Sequence, residues 1–292
     1  MVERPVQITV VSGKGGTGKT TVVASFAALS DRKVLADCDV DAANLYLLLH
    51  PKVREQGEFR GTKRAVRDPA KCRQAGECER VCRFGAITVR AVDAMACQGC
   101  GLCLLACPND ALRLEPVVNG HYYVSDTKYG PMAHAKLMPG GESSGRLVTK
   151  VRQLAEDLAR GEGRGLILID GPPGIGCTAT ASLADVDLAL IVTEPTLSGI
   201  HDMERVISLA DHFRLPTAAI INKADINADN ARRIRDFCGA REIPVLGELP
   251  FDDVVTRAIT DMTPVVEYDD GAVSQGLRAA WGTLAERLGV QA

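Results

Sequence analysis

Aromatic side chains are scarce: one Trp, five Tyr and six Phe make up 4% of the 292 residues. A surface that stacks bases or sugars on aromatic faces is therefore not expected. Long apolar runs are missing too, none approaching the roughly 20 residues that a membrane-spanning helix needs. Nor does charge of one sign dominate. With 34 Lys and Arg against 37 Asp and Glu, the net charge of -3 gives no global attraction to nucleic acid or to an anionic membrane. The opening MVERPVQITVVSGKGG runs from an apolar stretch straight into a polar glycine loop, without a leader pattern. The cytoplasm is the expected compartment. Against these absences stand ten cysteines, which in a reducing compartment point to metal ligation or redox chemistry rather than to disulfides. A chain of 292 residues, at about 150 per domain, anticipates two domains or one domain with an insertion.

Seven of the ten cysteines lie between Cys72 and Cys107, and that window repeats at an offset of 25 residues. Cys72, Cys78 and Cys82 fall on Cys97, Cys103 and Cys107, while Ala86-Ile87 falls on Ala111-Leu112. The second copy, Cys97-x2-Cys100-x2-Cys103-x3-Cys107-Pro108, has the spacing of a bacterial ferredoxin cluster motif, in which the fourth cysteine serves the other cluster. Zinc sites use separated pairs instead. The first copy has Ala75 where the second has Cys100. Crossed ligation then yields one complete set, Cys82, Cys97, Cys100 and Cys103, and one set of three, Cys72, Cys78 and Cys107. One [4Fe–4S] cluster is expected. At the incomplete set the alternatives are a [3Fe–4S] cluster, a [4Fe–4S] cluster with a non-protein ligand, or an empty site.

The N-terminal run Val6–Ser12 reads as a strand, followed by Gly13-Lys14-Gly15-Gly16-Thr17-Gly18-Lys19-Thr20-Thr21 and a helical stretch. Strand, glycine loop and helix form the setting of a phosphate-binding loop. Backbone amides and the helix N-terminus face the phosphates. Lys19 reaches toward the β- and γ-phosphates, and the Thr20 hydroxyl ligates Mg²⁺. The additional Lys14 resembles the deviant P-loop of the MinD/ParA ATPases, a superfamily that includes the nitrogenase iron protein and Mrp-type iron–sulfur carriers. By that resemblance Lys14 crosses to the nucleotide of a partner subunit, giving an ATP-dependent homodimer or a related heterodimer. Asp39, after the Lys33–Asp37 run, takes the position that orients the attacking water. Asp170, ending Gly165-Leu-Ile-Leu-Ile, matches the acid that holds Mg²⁺, and Gly171-Pro-Pro-Gly174 the loop that senses the γ-phosphate. The sequence Asn222-Lys-Ala-Asp225 fits guanine recognition by Asp225 or, by the resemblance, adenine contact by Asn222; ATP is favoured over GTP.

The resemblance extends over almost the whole chain and implies an α/β P-loop fold, a mostly parallel sheet flanked by helices, with an inserted ferredoxin-like domain. The expected organisation is residues 1–60 and 117–292 as the ATPase domain and 61–116 as the insert. Its flank 52–67 is polar and basic, and Gly130–Gly145 reads as a glycine-rich loop ahead of a helix. Because the excursion leaves after Asp39 and returns before Asp170, nucleotide state can be transmitted to a cluster. The expected function is slow, partner-stimulated ATP hydrolysis coupled to electron transfer with a redox protein. The alternatives are a cluster assembly carrier and a positioning ATPase on DNA or membrane. Cys177 stands at a helix start, as a packing residue or a subunit-bridging cluster ligand; Cys38 and Cys238 read as core. Leu277, Trp281, Leu284 and Leu288 share one helical face, and the five histidines show no metal-ligand spacing.

Overall fold

Unbroken apolar runs such as Leu188–Thr193 can be buried only where both sheet faces are covered, and those runs form the centre of the sheet. The computed structural model describes residues 4–138 and 144–290. Its strands are β1 (Val6–Ser12), β2 (Lys33–Asp37), β3 (Lys52–Phe59), β4 (Thr62–Arg67), β5 (Leu112–Val117), β6 (Gly120–Thr127), β7 (Gly130–Leu137), β8 (Leu166–Pro173), β9 (Leu188–Thr193), β10 (Thr217–Ile221) and β11 (Val245–Glu248). Nine of these make one sheet in the order β11-β10-β9-β1-β8-β2-β7-β6-β3. From β11 to β7 every neighbouring pair is parallel. In β1, Ile8 and Val10 face the layer that holds Phe26, Trp281 and Leu284. Val11 faces Met203, Val206, Ile207 and Ile234 on the other side. This is the α/β P-loop fold expected from the sequence.

The C-terminal helix Ala272–Leu288 buries Leu277, Trp281 and Leu284. Its indole packs on Phe26 with ring centroids 5.1 Å apart, so the stripe is core. Among the described residues, no helix is long and apolar enough to cross a membrane.

The segment read as a glycine-rich loop is corrected in its first half. Gly130–Leu137 is β7, which pairs with β2 through Leu35–Met132 and Asp37–His134. Residues 139–143, the rest of that segment before the helix Ser144–Gly161, lie outside the described residues. The basic stretch 52–67 consists largely of β3 and β4, and β3 is mostly exposed.

The chain divides into two compact units. The larger comprises Met1–Gln56, Tyr122–Lys136 and Ser144–Ala292; the smaller comprises Gly57–His121 and Leu137–Ser143. Residues 61–116 fall within the smaller. There β4 and β5 pair antiparallel, Thr62 opposite Val117 and Arg67 opposite Leu112. Two five-residue helices, Glu77–Val81 and Leu102–Ala106, complete it.

Candidate functional site

In an open parallel sheet, ligands bind beyond the carboxyl ends of the strands. In the larger unit the loops after β1, β2, β9 and β10, together with Asp170 in β8, carry the polar residues of the expected nucleotide site. Gly13–Gly18 links β1 to the helix Lys19–Leu29. Gly18, at φ 97°, takes the left-handed conformation, and no side chain caps the helix. Its first amides are left for an anion. A Cβ on Gly18 would lie 2.5 Å from Asn222 Nδ2, so that position admits no other residue without displacement.

Lys19 is buried, and burial lowers its pKa against the opposing charges of Asp170, Asp39 and Asp37. Asp37 and Asp170 are register partners on β2 and β8. Both are almost wholly buried. Thr20 Oγ1 donates to Asp170 Oδ2 at 2.8 Å, and the Asp39 amide donates to Asp37 Oδ1 at 3.1 Å. Asp170 Oδ1 and Asp37 Oδ2 have no hydrogen-bond partner among the described residues. Burial pushes the Asp170 carboxyl up to about 7, with Lys19 and the Thr20 hydroxyl opposing and Asp39 adding to the rise. Burial likewise raises Asp37, reinforced by Asp170, and raises Asp39 against the pull of Lys19. Burial thus raises the pKa of all three acids around Lys19.

Lys14 does not extend away from its own chain. Its Nζ lies 2.5 Å from Glu194 Oε1 and 3.2 Å from the hydroxyls of Thr196 and Ser198. Lys223 reaches the other Glu194 oxygen at 3.2 Å. Burial raises the Glu194 pKa, but hydrogen bonds from the two lysines outweigh it and the net shift is downward. Asn222 Nδ2 donates to Thr17 O at 2.9 Å, tying the phosphate loop to the end of β10. Asp225 Oδ1 accepts from the Phe251 amide at 2.7 Å. Glu194, Thr196 and Ser198 were not among the expected site residues. Only their position after a core strand marks them in the sequence.

The smaller unit gathers the seven cysteines into two groups. Cys82, Cys97, Cys100 and Cys103 line a cavity of about 260 Å³. Cys72, Cys78 and Cys107 line a narrower one of about 20 Å³. The Ala65 amide points at Cys97 Sγ, 3.5 Å away, and the Ala111 amide at Cys107 Sγ, 3.4 Å away. The Arg67 guanidinium, held by the carbonyls of Val89 and Arg90, lies 4.0 Å from Cys72 Sγ. Among the described residues no three His, Cys, Asp or Glu side chains stand close enough to share one metal ion. In the larger unit, Cys38 and Cys238 are buried, while Cys177 is exposed at the start of the helix Cys177–Leu183. His134 is held in the sheet by Ser125 Oγ at 2.8 Å.

Comparison with known proteins supports the nucleotide-binding domain and its fold. A sequence profile of the family described as the CobQ/CobB/MinD/ParA nucleotide binding domain matches residues 8–265. An uncharacterized protein of Methanocaldococcus jannaschii is 30% identical over 286 residues, covering 96% of each chain. An iron–sulfur cluster carrier protein of the same organism is 26% identical over 280 residues, 90% of this chain and 78% of that protein. In three dimensions, the septum site-determining protein MinD of Pyrococcus horikoshii, complexed with Mg-ADP, is similar with a TM-score of 0.62 at 20% identity, covering 98% of both chains.

Proposed function

The chain belongs to the CobQ/CobB/MinD/ParA nucleotide-binding family and is a P-loop ATPase; from that premise we propose that it couples a MgATP-driven dimer cycle to electron transfer through iron–sulfur clusters in its smaller unit. The observation that carries the proposal is the sorting of seven cysteines into a group of four and a group of three, inside a chain whose remainder is a nucleotide site.

The residues fit both groups of cofactors. The uncapped helix N-terminus and Lys19 supply donors for the β- and γ-phosphates. Thr20 and Asp170, with its unpartnered Oδ1, offer oxygen ligands to Mg²⁺, the ligand type that ion prefers. In this reading Asp39 would orient a water for in-line attack, and Lys19, with the loop amides, would hold the charge that develops on the phosphoryl oxygens. Lys14 rests on Glu194 within its own chain. Its transfer to a partner's nucleotide would exchange one anion for another, so the same lysine would tie the two subunits together on dimerisation. Asn222 positions the phosphate loop through Thr17. With one Asp225 oxygen engaged by the Phe251 amide, ATP remains the favoured nucleotide.

Cys82, Cys97, Cys100 and Cys103 would hold a [4Fe–4S] cluster. Each thiolate of such a cluster binds a different iron, so the sulfurs need not crowd one centre. Bound clusters supply one-electron chemistry at potentials set by their surroundings, and the amides directed at Cys97 and Cys107 stabilise thiolate charge. In sequence the larger unit is interrupted after Gln56, beyond Asp37 and Asp39, and resumes at Tyr122, ahead of β8, which bears Asp170.

Similarity to MinD favours a second reading, a positioning ATPase that runs the same nucleotide cycle on DNA or a membrane without redox chemistry. The comparisons support the shared ATPase more directly than they support the clusters, which rest on the cysteine geometry. Anaerobic purification separates the two. The redox reading expects acid-labile sulfide and at least about four irons per chain, together with MgATP hydrolysis abolished by Lys19→Ala. Iron-free, fully folded protein that binds bulk DNA with strong salt dependence would establish the positioning reading instead.

A further inference from the structure

The cavity of the four cysteines reaches the surface at one edge. Cys103 is buried and Cys82 and Cys97 are partly buried, whereas Cys100 is exposed. Phe84 and Leu102 also line this cavity and are 44% and 46% exposed. Leu105, 87% exposed, follows Leu102 by three residues on the helix Leu102–Ala106, so the two share a face. An apolar surface thus lies beside the most exposed cysteine of this group. Charge on that face is of one sign. Of the residues lining the cavity only Arg83 is charged, and its guanidinium lies 5.6 Å from the Phe84 ring centroid. Lys63 stands two residues before Ala65 in β4, on the same face of the strand, and Ala65 lines the cavity. Gly99 packs so closely on the Lys63 carbonyl that no Cβ would fit, which holds β4 against the loop bearing Cys100.

Neither Arg83 nor Lys63 has a carboxylate partner among the described residues, unlike Arg60, Arg80 and Arg113, which pair with Glu58, Glu77 and Glu115. From 57 to 121 the chain carries ten Lys and Arg against seven Asp and Glu, although its net charge overall is -3. Exposed leucines beside unpaired cations suit a protein surface of opposite charge. A phosphate backbone offers the leucines no partner, and a second copy set face to face would bring like charges together. We propose that an acidic one-electron carrier protein docks here, with apolar contact on Phe84, Leu102 and Leu105 and its carboxylates on Arg83 and Lys63. The inference rests on the cluster-binding reading of the four cysteines. Docking brings the carrier to the edge at Cys100. One electron crosses, one partner oxidised and the other reduced, with no bond made or broken. A small patch with an apolar centre and a charged edge fits the size and salt sensitivity of electron-transfer complexes.

The test uses the full chain, reconstituted anaerobically with ferrous iron and sulfide, with a flavodoxin as acidic probe and cytochrome c as basic probe. Titration calorimetry should show flavodoxin binding that weakens at least about tenfold between about 0.05 and about 0.5 M salt, and no binding of cytochrome c. Arg83→Glu should weaken flavodoxin binding about tenfold and Leu105→Ser about fivefold, with iron content and circular dichroism unchanged. Lys71→Glu, the same charge change next to Cys72 in the three-cysteine group, should alter the affinity less than about twofold. In iron-loaded protein, absent or salt-indifferent flavodoxin binding, or equal losses in Arg83→Glu and Lys71→Glu, would overturn the proposal. So would duplex DNA or a second copy of the chain whose binding is lost in Arg83→Glu, since either would assign the face to another occupant. Folded protein that takes up no iron would overturn the cluster reading itself, and the docking proposal with it.

Discussion

Asp170→Asn should stabilise the nucleotide-free protein at pH 8 and leave its stability nearly unchanged at pH 4. Asp170 is 1% exposed, and burial raises its carboxyl to about 7 despite Lys19 and the Thr20 hydroxyl. In an unfolded chain an Asp titrates near 3.9. Between these values the folded state binds more protons than the unfolded state, so stability falls as pH climbs from about 4 to about 7 and stays low above it. A shift of about three units at about 1.4 kcal/mol each sets an upper limit of about 4 kcal/mol. The amide retains an oxygen for Thr20 but removes one of the anions compensating Lys19, so the expected gain at pH 8 is about 2 kcal/mol. At pH 4 the folded carboxyl is protonated and the unfolded one about half so, and the two proteins should agree within about 0.5 kcal/mol. Urea unfolding followed by circular dichroism in EDTA measures the difference, and adding MgATP should reverse the ranking. A variant that is less stable than wild type at pH 8, or equally stabilised at both pH values, would refute the view of Asp170 as a strained cation ligand.

Gly18→Ala puts a Cβ at φ 97° and 2.5 Å from Asn222 Nδ2; a loss of about 2 kcal/mol and more than about tenfold weaker ATP binding are expected by calorimetry. Glu194→Gln removes the anion that holds Lys14 and should let the MgATP dimer form at about thirtyfold lower protein concentration, by analytical ultracentrifugation, if the charge-assisted bond lost in each of the two subunits is worth about 1 kcal/mol. A weaker dimer would count against the role given to Lys14. Trp281→Ala empties a core position packed on Phe26 and should cost about 3–5 kcal/mol in a thermal or urea melt, with the iron content of the folded protein unaffected.

How much of this was legible beforehand depended on whether the signal was local. β1, β8, β9 and β10 announce themselves because their apolar runs are continuous, and the phosphate loop because its glycines and lysines are contiguous. β7 was hidden by Gly130, Pro131 and the glycines beyond it. Their composition says loop, while pairing with β2 imposes a strand. The partners of Lys14 were hidden by distance, since Thr196 lies 182 residues away in sequence. The tie from Asn222 to Thr17 spans 205. Asp37 reads in the sequence as one of several acids after a strand. Only its burial opposite Asp170 shows that the pair is electrostatically coupled. The cysteine repeat was legible as spacing, but the exposure of Phe84, Leu102 and Leu105 beside it was not.

Coupling between nucleotide and cluster is most directly tested by redox titration of the anaerobically prepared protein, followed by EPR, with and without MgATP. The midpoint potential of at least one cluster should shift when MgATP is present, and Lys19→Ala should abolish the shift. Potentials that are the same with and without nucleotide, in protein shown to bind both ATP and iron, would contradict the coupling.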